Sequence, residues 1–234
     1  MERVKDYGRL SDYISKYKIN EIFTVDMIPH MELLVFHRNE YICKTDEKLQ
    51  YLFFFVEGKA KVYASLSNGK SLLLCFYKPF MIIGDVEFIH FDTANSNIQV
   101  IDETYCIGIP LEKVRTFALE DSKFLKYMCS SLGDKLVKLG KYSSINLLYP
   151  LENRLASYIL ATTSPDATAH RSEEGIIIFD GNLAEISEIL GTSYRHLLRT
   201  LNELNRQGAI KKNASCYEVL NIDILQKLAG DLYD

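Results

Sequence analysis

From about residue 20 to residue 110 the apolar residues come in short runs separated by Gly, Asn, Asp and Pro, which is the pattern of successive β-strands. The runs are Met31–Phe36, Tyr51–Val56, Lys59–Ala64, Ser71–Tyr77, Asn97–Ile101 and Thr104–Ile109, with turn signals at Glu57-Gly58 and Ser67-Asn68-Gly69-Lys70. The Asn-Gly pair predicts a two-residue type I′ hairpin with both central residues at positive φ. About eight short strands in so compact a stretch predict a jelly roll or small sandwich, which can enclose a ligand or simply be a packed core.

The period changes near Leu111. Leu125, Cys129, Leu132, Leu136, Leu139, Ser143 and Asn146 recur by four and three, a heptad seam of about three repeats that turns polar at its end. One long helix over 111–149 is therefore expected, packed on its own barrel or forming the spine of a homodimer. Pro150 ends or kinks it, and the polar end at Ser143 and Asn146 is expected to act as a hinge. Leu151 to Ala161 reads as a connecting helix, and Thr162 to Gly175 as a polar loop.

The last segment changes pattern again. Asn182 can cap a helix over 183–190, Gly191 breaks it, and Thr192 and Ser193 start a second helix from Tyr194 that Gly208 stops. Ser187 is small where two crossing helices would meet, and Leu197, Leu201 and Leu204 form a buried side. Tyr194, Arg195, Arg199 and Asn202, with His196 at the margin, face outward and can read base edges or bind phosphate. A short apolar strand over 175–180 precedes the pair, and 209–220 reads as strand, polar turn, strand. That order predicts a winged helix-turn-helix.

The chain of 234 residues carries a formal charge of −4, which by itself argues against nucleic acid. Between Thr192 and Asn213, however, five basic residues (Arg195, Arg199, Arg206, Lys211, Lys212) stand against Glu203 alone, so any DNA-binding surface is confined to this stretch. No apolar run is long enough for a membrane span, and residues 1–6 lack the basic-then-apolar order of a secretory signal, so a cytoplasmic location is expected. The five cysteines, at 43, 75, 106, 129 and 216, lack paired short spacing and read as structural thiols, with a redox-sensing thiol as the alternative. His30, His37, His90, His170 and His196 are dispersed, and neither a nucleophile elbow nor a phosphate-binding glycine loop is present, so neither an enzyme nor a metal site is expected.

An α+β chain with an N-terminal jelly roll (1–110), a long dimerisation helix (111–149) and a C-terminal winged helix-turn-helix (150–234) resembles the Crp/Fnr family of bacterial transcription regulators. Phe55-Val-Glu-Gly58 with Lys61-Val-Tyr63, and Ile83-Gly-Asp85, are similar to the barrel signatures of its cyclic-nucleotide-binding-like domain. Gly191-Thr-Ser-Tyr-Arg-His-Leu-Leu-Arg199 is similar to its recognition-helix motif, with Gly191, Ser193 and Arg199 matching. Tyr194 replaces the usual Arg and Arg195 the usual Glu, and these departures, with Leu66-Ser-Asn-Gly-Lys70, are more like the YeiL-type branch.

The resemblance implies a homodimer on double-stranded DNA, with RNA polymerase as a further partner and a small effector as a possible input. It places DNA contacts on Thr192, Ser193, Tyr194, Arg195, His196, Arg199, Lys211 and Lys212, and a dimer seam on Leu125, Cys129, Leu132, Leu136, Leu139 and Ser143. Its effector pocket falls on Gly84, Asp85, Asn95, Ser96, Leu139 and Gly140. Asn95 stands where the phosphate-binding Arg should be, a loss of about 1.5–3 kcal/mol for a cyclic phosphate, so no tight cyclic-AMP binding is expected. Residues 1–40 contain no cysteine, so no iron–sulfur cluster is expected either. For haem, Cys75 and His90 are available but have ordinary structural roles. The rival function is a ligand-binding jelly roll whose helix pair docks on a protein partner.

Overall fold

The computed structural model describes residues 1–90, 93–163, 177–214, 216–230 and 232. The chain begins with β1 (Glu2–Val4) and α1 (Tyr7–Tyr17), then two 3-10 turns at Ile19–Ile22 and Ile28–His30. Six strands follow: β2 (Glu32–Phe36), β3 (Tyr41–Cys43), β4 (Tyr51–Glu57), β5 (Ala60–Ser65), β6 (Ser71–Tyr77) and β7 (Met81–Ile83). After a short helix, α2 (Asp85–His90), come β8 (Asn97–Val100) and β9 (Thr104–Pro110). The nine strands build a five-stranded sheet in the order β1-β2-β9-β4-β7 and a four-stranded sheet in the order β3-β8-β5-β6, the two faces of the expected jelly roll.

The register sets Phe54 of β4 against Ile107 of the antiparallel β9. These two strands are apolar almost throughout because both of their faces are covered. Phe53, Phe54, Phe55, Cys106, Ile107 and Ile109 are all essentially inaccessible.

Helix α1 was not legible as such, yet it is well specified. Asp6 caps it by accepting from the Arg9 N–H at 2.9 Å, and Leu10, Tyr13 and Ile14 face the core. At its outer side Arg9 donates to Glu57, and its guanidinium lies 3.6 Å from the Tyr105 ring centroid.

The hairpin joining β5 to β6 departs from the type I′ expectation. Only Gly69 has positive φ, at 78°; Asn68 does not. The Leu66 N–H donates to Lys70 O at 2.7 Å and the Gly69 N–H to Leu66 O at 2.9 Å, which is a three-residue loop with Gly69 in the left-handed position. Asn68 instead uses its side chain, accepting from the Lys70 N–H at 3.0 Å.

The stretch expected as one helix over 111–149 is two, α3 (Leu111–Ala118) and α4 (Ser122–Leu148). Asp121 makes the break. Its carboxylate accepts from the N–H groups of Lys123 and Phe124, starting α4, and from that of Thr24 at 2.6 Å. Pro150 separates α4 from α5 (Leu151–Thr162), as its missing N–H requires. Then come β10 (Ile178–Phe179), α6 (Leu183–Ile189), α7 (Tyr194–Arg206), β11 (Ile210–Asn213), β12 (Cys216–Val219) and α8 (Ile222–Ala229). Most of the loop expected over 162–175, and the first residues of the strand expected over 175–180, lie outside the described residues.

Two compact units emerge: Met1–Val62 with Phe76–Lys138, and Tyr63–Cys75 with Leu139–Asp234. They cut across the segments 1–110, 111–149 and 150–234, since α4 is shared at Lys138 and the β5–β6 hairpin groups with the second unit. No helix among the described residues is long and apolar enough to cross a membrane.

Candidate nucleic-acid interface

The second unit holds α6 and α7 at a corner whose parts are each fixed locally. Asn182 caps α6 by accepting from the Ala184 N–H, and Ser193 caps α7 by accepting from the His196 N–H at 3.2 Å. Between them Gly191 adopts φ 62°, which suits glycine, and its position faces Leu72 of the hairpin. Ser187 is buried with its hydroxyl on Ala184 O, and its own carbonyl accepts the Thr192 N–H. Arg154 on α5 completes the corner: Nη1 donates to Leu190 O at 2.6 Å and Nε to Tyr149 O at 3.2 Å. That arginine carries no motif signal, because its partners are backbone carbonyls that no side-chain spacing marks.

The inner side of α7 is Leu197, Leu201 and Leu204, each fully buried, with Thr200 beside them. Each leucine contributes about 1.5–3 kcal/mol by leaving water, enough to fix which side of the helix faces out. The outer side carries Tyr194, Arg195, His196, Arg199 and Asn202, all exposed. Glu203, the one acid of this helix, is ion-paired with Arg206. Neither Arg195 nor Arg199 has an ion-pair partner among the described residues, so both charges stay available.

Beside α7, strands β11 and β12 form a hairpin in a three-stranded sheet of order β10-β12-β11. The register pairs Lys211 with Glu218 and Lys212 with Tyr217. Successive strand residues point to opposite faces, so the two lysines do not act as one patch. Lys212 shares the face of Ile210 and Tyr217 and extends beyond it, whereas Lys211 lies across from a carboxylate that also accepts from Asn213 at 2.6 Å.

A helix pair with this corner, a wing behind it and a nine-stranded barrel ahead of it is matched by known families over most of the chain. Residues 33–121 match the cyclic nucleotide-binding domain, and residues 153–228 match the Crp-like helix-turn-helix domain. The curated Regulatory protein YeiL of Escherichia coli O157:H7 is 30% identical over 219 residues, 94% of this chain and 95% of that protein. The chain belongs to the Crp/Fnr family. It is a DNA-binding transcription regulator of that family. Crystal structures share the fold: a CRP-family regulator of Thermus thermophilus has a TM-score of 0.65 at 20% identity, covering 86% of this chain and 98% of that one. A putative Crp/Fnr regulator of Eubacterium rectale has a TM-score of 0.72 at 14% identity, covering 93% and 99%.

Within the first unit of this Crp/Fnr chain, the residues matching the family's effector pocket are set as follows. Gly84 adopts φ 98°, and Asp85 after it is 2% exposed. The Asp85 carboxylate is held by Lys135 of α4, whose Nζ lies 2.9 Å from Oδ1 and 2.7 Å from Oδ2 and also donates to Ile82 O. Lys135 is separated from Asp85 by 50 residues, and nothing local in the sequence signals the pair. Asn95 is exposed and Ser96 half-buried. Burial pushes the Glu87 carboxyl above its ordinary value, and the nearby Asp85 adds to this. Burial, with Glu87, pushes the Cys43 thiol up to about 12, and burial alone raises Cys106, so neither is an accessible thiolate at neutral pH. The side chain of His90 is not among those described. Among the described residues no group of His, Cys, Asp and Glu gathers to hold a metal ion.

The seam residues on α4 share one side of the helix. Leu125 and Leu132 are half-buried, Cys129 and Ser143 exposed, Leu139 44% exposed and Leu136 71% exposed. Leu139 and Gly140, also matched to the effector pocket, are exposed in the second unit. The hinge expected at Ser143 and Asn146 is not a loose end. Tyr142 and Ile145 are buried, and Asn146 Nδ2 donates to Leu73 O at 3.0 Å.

Proposed function

We propose that the chain binds a pseudo-palindromic duplex site as a homodimer, with α7 of each subunit in successive major grooves about one helical turn apart. The observation that carries this is the outer side of α7. Two arginines without an acidic partner among the described residues, Tyr194, His196 and Asn202 stand on a helix whose opposite side is locked by three buried leucines. Ser193 and the helix N-terminus approach phosphate, Arg195 and Arg199 read guanine edges, and Lys212 holds backbone from the wing. The seam of Leu132, Leu136 and Leu139, only partly covered by its own chain, supplies the apolar surface on which two chains pair.

Control is by a small effector other than cyclic AMP, or the protein is active without one, and promoter output runs through RNA polymerase. Asp85 is already neutralised by Lys135, and Asn95 offers no charge to a cyclic phosphate. Submicromolar cyclic-AMP binding by calorimetry would overturn this part.

The test of the whole is selection of random duplex DNA by the purified protein, followed by affinity against salt. A two-fold symmetric consensus with a steep salt dependence is the expected result, because phosphate contacts release counterions. Asymmetric or sequence-independent recovery would reject dimeric readout. An absence of salt-dependent DNA association, with capture of a protein through the helix pair, would favour protein docking instead.

A further inference from the structure

Two adjoining recesses in the first unit meet the effector-pocket position only at Ile82 and Lys135. The narrower, about 130 Å3, lies between the 80–82 segment and α4, where Tyr127, Ser130, Ser131, Asp134 and Lys138 line it. The wider, about 430 Å3, lies between the corner after α1 (Tyr17, Lys18, Glu21, Ile22) and the first turns of α4. Phe80, Tyr127 and Ser130 line both, so the two form one double recess. Together they offer the volume of a small-molecule site, the wider part lying open to solvent.

The two ends differ in chemistry. The wide end has an apolar floor anchored to the core: the Phe80 ring is stacked between Tyr17, at 4.8 Å, and the fully buried Phe54, at 5.7 Å, with Ile22 alongside. The narrow end is polar. The hydroxyls of Tyr127, Ser130 and Ser131 have no hydrogen-bond partner among the described residues. Burial, with a contribution from Asp85, pushes the Tyr127 phenol up to about 12, so it remains an O–H donor at neutral pH.

Charge points the same way. Lys18, Lys123, Lys126 and Lys138 border the recess against Glu21 and Asp134, and none of the four lysines has an ion-pair partner among the described residues. Lys135 adds nothing, since its charge is committed to Asp85. This is a net positive spot on a chain of formal charge −4. An occupant that satisfies it must bring an apolar body, hydrogen-bond acceptors and a negative charge.

We infer that the double recess binds a small organic carboxylate with an apolar body, the carboxylate among Tyr127, Ser130, Ser131 and Lys138 and the hydrocarbon over Tyr17, Ile22 and Phe80. It adjoins the position matched to the family's nucleotide pocket on the far side of Lys135, which lines the recess and closes off Asp85. The α4 residues that line it are not those of the seam. Nor does the assignment depend on DNA readout, since binding is measured directly.

The experiment titrates the full chain with sodium 2-naphthoate and, separately, with neutral 2-naphthamide, by calorimetry and by amide chemical-shift mapping. Saturable binding of one naphthoate per chain is expected, with shifts at 17–22, 80–82 and 123–138 and at least about tenfold preference over the amide. Tyr127→Phe, Ser130→Ala and Lys138→Ala should each weaken the acid severalfold and leave the amide unchanged. Should Tyr127→Phe unfold the protein, the two exposed positions Ser130 and Lys138 decide the matter. Absence of saturable binding, equal affinity for acid and amide, shifts confined to the seam, or indifference to the variants would each overturn the assignment.

Discussion

Thr192 Oγ1 and His196 Nδ1 lie 3.2 Å apart at the first turn of α7, so the hydroxyl that precedes the helix fixes an imidazole on its outer side. In the tautomer in which Thr192 donates to Nδ1, the ring carries its proton on Nε2 and presents a donor outward. A donor suits guanine O6 or N7, or thymine O4. Thr192→Val should therefore relax discrimination at one base pair by about threefold to tenfold while the salt slope stays the same. Competition among single-base variants of the selected site measures this. A uniform loss across all sequences would show that His196 touches only phosphate.

The recognition helix and the wing should separate in kind. Arg199→Ala is expected to cost about 1–3 kcal/mol on the selected site and to relax one position, because a base-edge contact is lost. Lys212→Ala should weaken specific and random DNA alike and lower the salt slope by about one. Lys211→Ala should matter less than Lys212→Ala, since Glu218 already sits across the hairpin from Lys211. Filter binding at several salt concentrations distinguishes the three.

Pairing of chains through the α4 seam is tested at Leu136, the most exposed seam leucine. Leu136→Glu sets like charges against one another across a two-fold seam. Sedimentation should show a monomer at concentrations where the parent is dimeric, with far-ultraviolet circular dichroism unchanged and affinity for a symmetric site reduced at least about tenfold. A variant that stays dimeric would move the interface elsewhere.

The Asp85–Lys135 pair should be strongly asymmetric to mutation. Lys135→Met leaves a carboxylate of 2% exposure without its cation, and denaturant unfolding should show about 3–5 kcal/mol of lost stability. Adding Asp85→Asn to that variant should restore a large part of the loss, because the uncompensated charge is gone. Equal losses in the single and double variants would mean that packing of the lysine stem, rather than charge, dominates.

Asp121 predicts an acid limb of the stability curve. Burial acts to raise its pKa, but the hydrogen bonds from Thr24, Phe124 and Lys123 outweigh it and hold the carboxyl below its ordinary value. A depressed folded pKa contributes stability that is fully present above the unfolded value of about 3.9 and is lost as pH falls through the folded one. Asp121→Ala should cost about 0.5–2 kcal/mol at neutral pH, and the gap from the parent should close below about pH 4. A gap independent of pH would assign the effect to packing.

What could be read from the chain was whatever depends on neighbours in sequence. Asn182, Gly191, Ser193 and the leucines of α7 are bound to their roles by spacing and caps, and each holds that role in the fold. Six of the strands between Glu32 and Pro110 were legible for the same reason, whereas β3 and β7, three residues each, were too short to show a pattern. The misses are long-range or depend on one competing side chain. The break at Asp121 answers partly to Thr24, 97 residues away; Asn68 spends its side chain on Lys70 rather than taking positive φ; and Lys135, Arg154 and Asn146 find partners that no periodicity names. The heptad pattern, in turn, marked a side of α4 without saying what meets it.

Asn146 has a role beyond its helix. Strand β6 is the end strand of the four-stranded sheet, seven residues long and rich in leucine, the sort of border onto which a strand from another molecule can zip. By donating to Leu73 O midway along it, Asn146 occupies one of the acceptors that such an incoming strand would need. A strand seeking that border would first have to displace the amide from the Leu73 carbonyl.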